Sequence, residues 1–381
     1  MERIYLDNAA TTQLDPEVIE AMLPYMHEIY GNPSAIHAFG RKARAGIEQA
    51  RRMVAKQLNC APGEIVFTSC GTEADNMAVF GSVRDLGVKH VITSPIEHHA
   101  VEHVAQELER TKEAEVHWLR LMPDGKADLT HLEELLKTHR NVLVSLMHAN
   151  NEVGSRNDLM AIGKLCRQYG ALFHSDTVQT MGHYRFDLEQ LPVDFLTCSA
   201  HKFHGPKGVG FLYMRSSSVL RPIIVGGAQE RNMRAGTENI IGIVALAKAL
   251  EVAYRDLEEH QQHVQALKDR MRERILASIP GSSVNGDPGA DGLYTVLNIH
   301  LPDDGKAEML IYNMDIEGIA CSGGSACSSG SNKGSHVIDA LYPGRTGANI
   351  RFSFSKFNTM ADVDRAAEVL ERVMMPSVVG A

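Results

Sequence analysis

The 381 residues carry 38 Lys and Arg against 47 Asp and Glu, a formal net charge of −9 spread along the chain, which excludes a protein built mainly for nucleic acid or an anionic membrane, since both need clustered cations. With 44% hydrophobic and 22% charged residues the composition is that of a globular protein, long enough for two domains or one large α/β core with an attached lobe. No stretch nears the roughly 18 apolar residues of a membrane helix, the first residues lack a basic-then-apolar leader, and six cysteines without a C-x-x-C pair are too sparse for a disulfide framework; together these features predict a cytoplasmic protein.

Residues 1–15 form an arm without helical pattern that is free to join either lobe. Pro16–Tyr30 and Arg41–Leu58 read as helices, the first with proline at its start, where a missing N–H costs nothing. From about Asn59, short β-branched runs alternate with longer amphipathic stretches, the pattern of a mainly parallel sheet covered by helices. Strands are predicted at Glu64–Thr68, His90–Thr93, Val142–Met147, Ala171–Ser175, Phe195–Cys198 and Gly208–Met214. Ile240–Leu276 reads as one long helical region, broken near Ile279-Pro280-Gly281. The pattern then restarts as strand Tyr294–His300, helix Lys306–Met314, strand Gly318–Cys321, a Gly/Ser-rich loop, strand Asn349–Ser355 and helix Met360–Met374. The expected division is a large domain over 16–260 and a small α+β domain from 1–15 with 261–381.

Chemistry concentrates at the predicted strand ends. Ser199-Ala200-His201-Lys202-Phe203-His204-Gly205 places a lysine where it can hold a carbonyl compound as a Schiff base; the alternative is a solvated lysine in a turn. His174-Ser175-Asp176 puts a carboxylate at another strand end, suited to keeping a pyridine nitrogen protonated so that the ring is an electron sink, or else to capping a turn. Thr68-Ser69-Cys70-Gly71-Thr72 is a strand-to-helix junction whose free N–H groups favour a phosphate, without the spacing of a P-loop or dinucleotide fingerprint. In Glu97-His98-His99, followed by His103, the better use of His98 is as a planar imidazole stacked on a cofactor ring. A zinc reading of His99 and His103 has no accompanying ligand cluster. Cys321-Ser322-Gly323-Gly324-Ser325-Ala326-Cys327-Ser328 is a run of small residues around two thiols, which suits a nucleophile that swings into a site or a plain linker. Arg351 lies in an alternating strand and either presents a planar fork to a carboxylate or faces outward.

Taken together, these segments resemble the cysteine desulfurases, pyridoxal-phosphate enzymes of the class V aminotransferase group. The likeness also runs through Tyr5-Leu6-Asp7-Asn8-Ala9-Ala10, Tyr30-Gly31-Asn32-Pro33, Asn150-Asn151-Glu152-Val153-Gly154 and Arg234-Ala235-Gly236-Thr237. It implies the aspartate-aminotransferase type of fold, a large cofactor domain with a small lobe, working as a homodimer. It implies that Lys202 carries pyridoxal 5'-phosphate, Asp176 pairs with its ring nitrogen, His98 stacks on the ring, and Gln179 and Asn151 partner the ring hydroxyl and its surroundings. Gly71, Thr72, Ser199 and His201 match the phosphate cradle, joined by Thr237 from the other subunit. Asn32, Asn151 and Arg351 match the grip on the substrate, and Cys327 matches the sulfur acceptor. The implied reaction converts L-cysteine to alanine and hands the sulfur to an iron–sulfur scaffold or another acceptor. A selenocysteine lyase, an aminotransferase of the same fold and a non-catalytic sulfur relay are the alternatives. Gly323 and Cys321 depart from the usual loop, which affects its motion rather than the identity of the nucleophile.

Overall fold

The computed structural model describes residues 3–287, 289, 291–302, 309–323 and 334–374. Strand β1 (Ile4–Tyr5) leads into the arm. Helix α1 (Pro16–His27) starts where the Asp15 carboxylate accepts the amide of Glu17 at 2.8 Å, with proline at its first position. Helix α2 (Ala38–Leu58) sets Ala43, Ile47, Ala50, Val54 and Leu58 on one stripe at helical spacing, and all are buried.

Seven strands follow in one sheet: β2 (Ile65–Thr68), β3 (His90–Thr93), β4 (Glu115–Trp118), β5 (Val142–Ser145), β6 (Leu172–Asp176), β7 (Phe195–Ser199) and β8 (Gly210–Met214). Their spatial order is β2-β8-β7-β6-β5-β3-β4, with β8 alone reversed between β2 and β7 and the remaining pairs parallel. Helices α3 (Gly71–Asp85), α4 (His99–Thr111), α5 (Leu129–Thr138) and α6 (Leu159–Tyr169) lie between these strands in sequence. β2, β5, β7 and β8 are buried at every residue, as strands covered on both faces must be.

Helix α7 (Ile240–Arg255) packs on α1 and α2, and α8 (Leu257–Ser278) opens the second lobe. There β9 (Ser283–Val284), β10 (Val296–Leu301), α9 (Leu310–Ile316), β11 (Ile319–Ala320), α10 (His336–Leu341), β12 (Ala348–Ser353) and α11 (Met360–Met374) follow. β12, β10 and β9 form an antiparallel sheet, while β1 pairs in parallel with β11. The apolar cores divide accordingly. Leu257 still belongs to the core of the large sheet, whereas Val264, Met271 and Ile275 pack with Ile4, Leu6, Phe352 and Leu370.

The structure departs most instructively from the sequence expectation at four places. β4 was not anticipated; it is an edge strand with only Val116 fully buried, so its apolar pattern is weak. The long helical region is two helices that part at Asp256, whose φ of −107° and ψ of 20° leave the helical range although no Gly or Pro marks the spot. α2 begins at Ala38, because the His37 side chain accepts the Gly40 amide as an unusual cap. β8 begins at Gly210, two residues after a glycine turn at φ +80° (Gly208).

Candidate active site

The carboxyl ends of β2, β5, β6 and β7 meet the arm, the start of α4 and strand β12 around a cavity of about 390 Å³. In open α/β sheets this is the end at which ligands bind. Lys202 closes a single 3₁₀ turn, Ala200–Lys202, directly after β7. Its Nζ donates to the backbone oxygens of Ala9 at 2.6 Å and Ala10 at 2.9 Å. The arm is in turn pinned to this turn and its neighbour, with the Thr12 amide on His201 O at 2.9 Å and the His204 amide on Thr12 Oγ1 at 2.7 Å.

Asp176 is the last residue of β6 and is buried. Its Oδ1 accepts the Val178 amide at 2.8 Å, so it caps a turn and faces the cavity at once. Burial, and then the neighbouring Asp75 carboxylate, push its carboxyl up to about 7. Asp75 is itself raised to about 7 by burial, with His174 Nε2 3.3 Å from its Oδ1. A pair of buried acids with no buried cation between them is an arrangement that a positive ring nitrogen would relieve.

His98 caps α4, its Nδ1 accepting the Ala100 amide at 3.1 Å. Burial first, then the charge of Lys202, hold the ring down to about 4, so it is neutral at neutral pH with its proton on Nε2. Its neighbour Glu97 is a buried carboxyl raised well above the usual range by burial. Both of its oxygens accept the Met147 amide at 3.0 Å and Ser94 Oγ donates at 2.9 Å. Glu97 thereby ties the loop after β3 to the loop after β5, beside His98, which lines the cavity.

Arg351 is 1% exposed and does not face outward. Its Nη2 donates to Asp7 at 2.8 Å and its Nη1 to Asn151 O at 2.9 Å, while its Nε is buried without a hydrogen-bond partner. The Arg351 backbone pairs with Ser322 in both directions, at 2.7 and 3.2 Å. On the far side of residues 324–333, Ser335 Oγ donates to Glu152 at 2.5 Å and His336 Nε2 lies 3.0 Å from Glu97 O. Both anchors of that segment are thus on groups around the cavity; Cys327 itself lies outside the described residues. Cys321 is half-buried, and burial, then Asp7, push its thiol up to about 12.

Of the residues singled out from sequence, Gly71, Thr72, His98, Asn151, Asp176, Gln179, Ser199, His201, Lys202 and Arg351 line the one cavity. Asn32 does not: it is exposed, and its side chain accepts the Ser34 amide at 2.9 Å. Thr237 is also exposed and lines a separate cleft beside Glu230 and Arg234. Its segment reaches the first turn of α3 through Arg234 Nε, which donates to Glu73 at 2.9 Å. A larger cleft of about 650 Å³ between Arg156, Tyr184 and Asp187 gathers none of these groups. Sequence reasoning missed the carbonyls of Ala9 and Ala10, which no side-chain pattern can announce, and the ligation-capable pair Glu102 and His336 beside His99, which are far apart in sequence.

A lysine amine, a buried acid, a neutral imidazole and an anion-binding helix start, set around one cavity at the ends of parallel strands, define an enzyme that works through an aldehyde cofactor. A model of the class-V aminotransferases matches residues 4–366, and the chain belongs to that family of pyridoxal-phosphate enzymes. It is 40% identical over 375 residues to the cysteine desulfurase IscS of Dictyoglomus turgidum, covering 97% of this chain and 94% of that one. It is 42% identical to a cysteine desulfurase of Cereibacter sphaeroides, over 98% of this chain and 96% of the relative. Among solved structures, a NifS-like protein superposes with a TM-score of 0.89 at 35% identity, covering 97% and 99% of the two chains. A structure of SspA in complex with cysteine superposes with a TM-score of 0.80 at 31% identity, covering 93% and 100%.

The residues present fit pyridoxal phosphate. A Cβ at Gly71 would stand 2.7 Å from Val178 Cγ2, so the start of α3 packs this closely on the turn after β6 only because residue 71 has no side chain, and the free amides of a helix start suit the cofactor's phosphate.

Proposed function

We propose that the chain is a cysteine desulfurase that converts L-cysteine to L-alanine and transfers the sulfur to its own Cys327. The observation that carries this reading is the convergence of Lys202, Asp176, His98 and Arg351 on one cavity, with the segment bearing Cys327 anchored at both ends to Arg351 and Glu152. Lys202 would hold the cofactor, Asp176 its ring nitrogen, His98 its ring face, and Gly71, Thr72, Ser199 and His201 its phosphate. Bound there, pyridoxal phosphate supplies an electron sink for the charge left when the substrate Cα loses its proton.

The chain's own groups do the rest. Arg351 lines the cavity and would grip the substrate carboxylate with its guanidinium, in exchange for part of its hold on the Asp7 carboxylate. Lys202 is the amine at hand to take up and return the Cα proton. His98 is neutral, so its ring would hold the cofactor's protonated ring without charge repulsion. Cys327, as thiolate, attacks the substrate sulfur: the C–S bond breaks, an S–S bond forms, and L-cysteine plus an enzyme thiol become L-alanine plus an enzyme persulfide. Cys327 follows Ser322 by five residues, a tether of at most about 17 Å.

The large domain of the proposal is 16–260 and the small one 1–15 with 261–381; the separate cores on either side of Leu257 and Val264 support this division. The working unit is a homodimer. Asn32 and Thr237 lie outside their own chain's cavity, beside exposed Tyr30, Ile36 and Phe39 for the first and Val225 for the second, which is how residues look when they serve a second copy. A cytoplasmic setting belongs to the same proposal, since an acceptor thiol needs a reducing compartment. The sulfur is passed on to an iron–sulfur scaffold or another acceptor protein. Incubating the holoenzyme with L-cysteine and a thiol reductant tests the reading: alanine and sulfide should appear in equal amounts. Pyruvate in place of alanine, or no sulfide, refutes it.

A further inference from the structure

Away from the cavity, three histidines distant in sequence meet at the edge of the large sheet. β3 and β4 run in parallel register with His90 opposite Glu115 and Ile92 opposite His117. Side chains alternate along a strand, so His90, Glu115 and His117 share a face. His139 arrives from the end of α5 as its C-terminal cap residue. The chain turns from there into β5 through Asn141 at φ +53°, whose carbonyl accepts the Lys89 amide at 2.8 Å. Asparagine tolerates that left-handed conformation better than most residues, and the turn holds His139 over the start of β3.

One ring nitrogen from each of the three lies within 4.8 Å of the others. His90 Nδ1 and His117 Nε2 are 3.1 Å apart, close to the roughly 3.3 Å that separates two nitrogens bound at about 2.0–2.1 Å to a tetrahedral zinc ion. The ring centres of His139 stand 4.5 Å from His90 and 4.1 Å from His117. The Glu115 carboxylate is 3.5 Å from His90 Nδ1 and 3.8 Å from His117 Nε2, in place to be a fourth ligand or to hold a bound water.

We propose that His90, His117 and His139 bind a borderline divalent transition metal, zinc foremost, with Glu115 or water in the fourth position. Three imidazoles and an oxygen are the donor set that zinc takes in tetrahedral geometry, while hard ions such as magnesium and calcium prefer oxygen alone. Each ring is half-buried. The site lies toward the strand starts, at the sheet end opposite the cofactor cavity. Its metal therefore clamps the edge strand β4 to β3 and to the α5–β5 turn and takes no part in catalysis. A second cluster, His99, Glu102 and His336, lines or adjoins the catalytic cavity and supplies the control.

The test is titration of metal-stripped holoenzyme with Co²⁺ in the absence of cysteine. We expect one equivalent with the visible absorption of four-coordinate cobalt, bleached by Zn²⁺ and absent in His117→Ala and in His139→Gln. It should persist in His336→Ala. Zinc should raise the melting temperature of the parent protein and leave that of His117→Ala and His139→Gln unmoved, with sulfide turnover in both kept near the parent rate as proof that they fold. Retention of the cobalt absorption in both histidine variants, its loss in His336→Ala alone, or no binding by the parent overturns the proposal.

Discussion

Replacing Asp176 by Asn should stabilise the cofactor-free protein while crippling the enzyme. Asparagine can keep the one hydrogen bond that fixes the side chain, accepting the Val178 amide, but it removes a buried charge. An ordinary aspartate titrates near 3.8, and burial and Asp75 lift Asp176 to about 7. The folded state therefore binds the proton more tightly than the unfolded one, and Asp176 makes stability fall as pH climbs from about 3.8 through about 7. At about 1.4 kcal/mol per pH unit, this is a penalty on the order of a few kcal/mol at pH 8 that shrinks to less than half of that at pH 5. Thermal melts of cofactor-stripped Asp176→Asn and parent protein should show the variant several degrees higher at pH 8, with the gap narrowing toward pH 5. In the holoenzyme the ordering should invert, because the variant cannot partner a protonated ring nitrogen and binds the cofactor more weakly. An unchanged or lower melting temperature for the stripped variant at pH 8, or a gap that does not depend on pH, would refute the reasoning.

Cys321→Ala should keep most of its sulfide turnover, since a thiol held up near 12 is almost wholly protonated at neutral pH, whereas Cys327→Ala should bind cysteine and release none; mass spectrometry should place the added sulfur on Cys327. Gly71→Ala puts a methyl group 2.7 Å from Val178 Cγ2 and should cost about 1–3 kcal/mol, read as a roughly 5- to 150-fold weaker cofactor dissociation constant, partly restored when Val178→Ala is added. Thr237→Ala and Lys202→Ala chains, each poorly active alone, should regain sulfide production when co-expressed. In their heterodimer the site that keeps Lys202 receives an intact Thr237 from the other chain, and verified heterodimers without this rescue would count against a shared site.

Sequence alone carried the mainly parallel sheet, because β5 and β7 are short runs dominated by apolar and β-branched residues, and it carried the gathering of Gly71, Asp176, Ser199 and Lys202 around one cavity, because each lies at or just after a strand end. It did not carry what depends on through-space arrangement. Asp176 was weighed as either a cofactor ligand or a turn cap; its Oδ1 caps the turn while the residue lines the cavity, so the two uses do not exclude each other. Arg351 alternates like an outward residue, yet β12 is covered on that face by the arm, and its side chain ends against Asp7. The helix break at Asp256 and the edge strand β4 left no local trace, one for want of Gly or Pro and the other for want of buried side chains. His90, His117 and His139 come from three elements with no spacing that a ligand motif would show.

The arm has a consequence for how the enzyme is made. Residues 4–12 leave the ribosome long before their partners: Gly318 and Ala320 for β1, then Arg351 and Ser353 for Asp7 and Asn8. At about 5–20 residues per second, roughly 20–70 s of synthesis separates the two. Throughout that time the Lys202 amine has no Ala9 and Ala10 carbonyls fixed above it, and the large domain can fold around its sheet without a finished catalytic centre. A segment made early thus takes its place at the site late, and the catalytic centre is finished only once residues 318–353 have been translated.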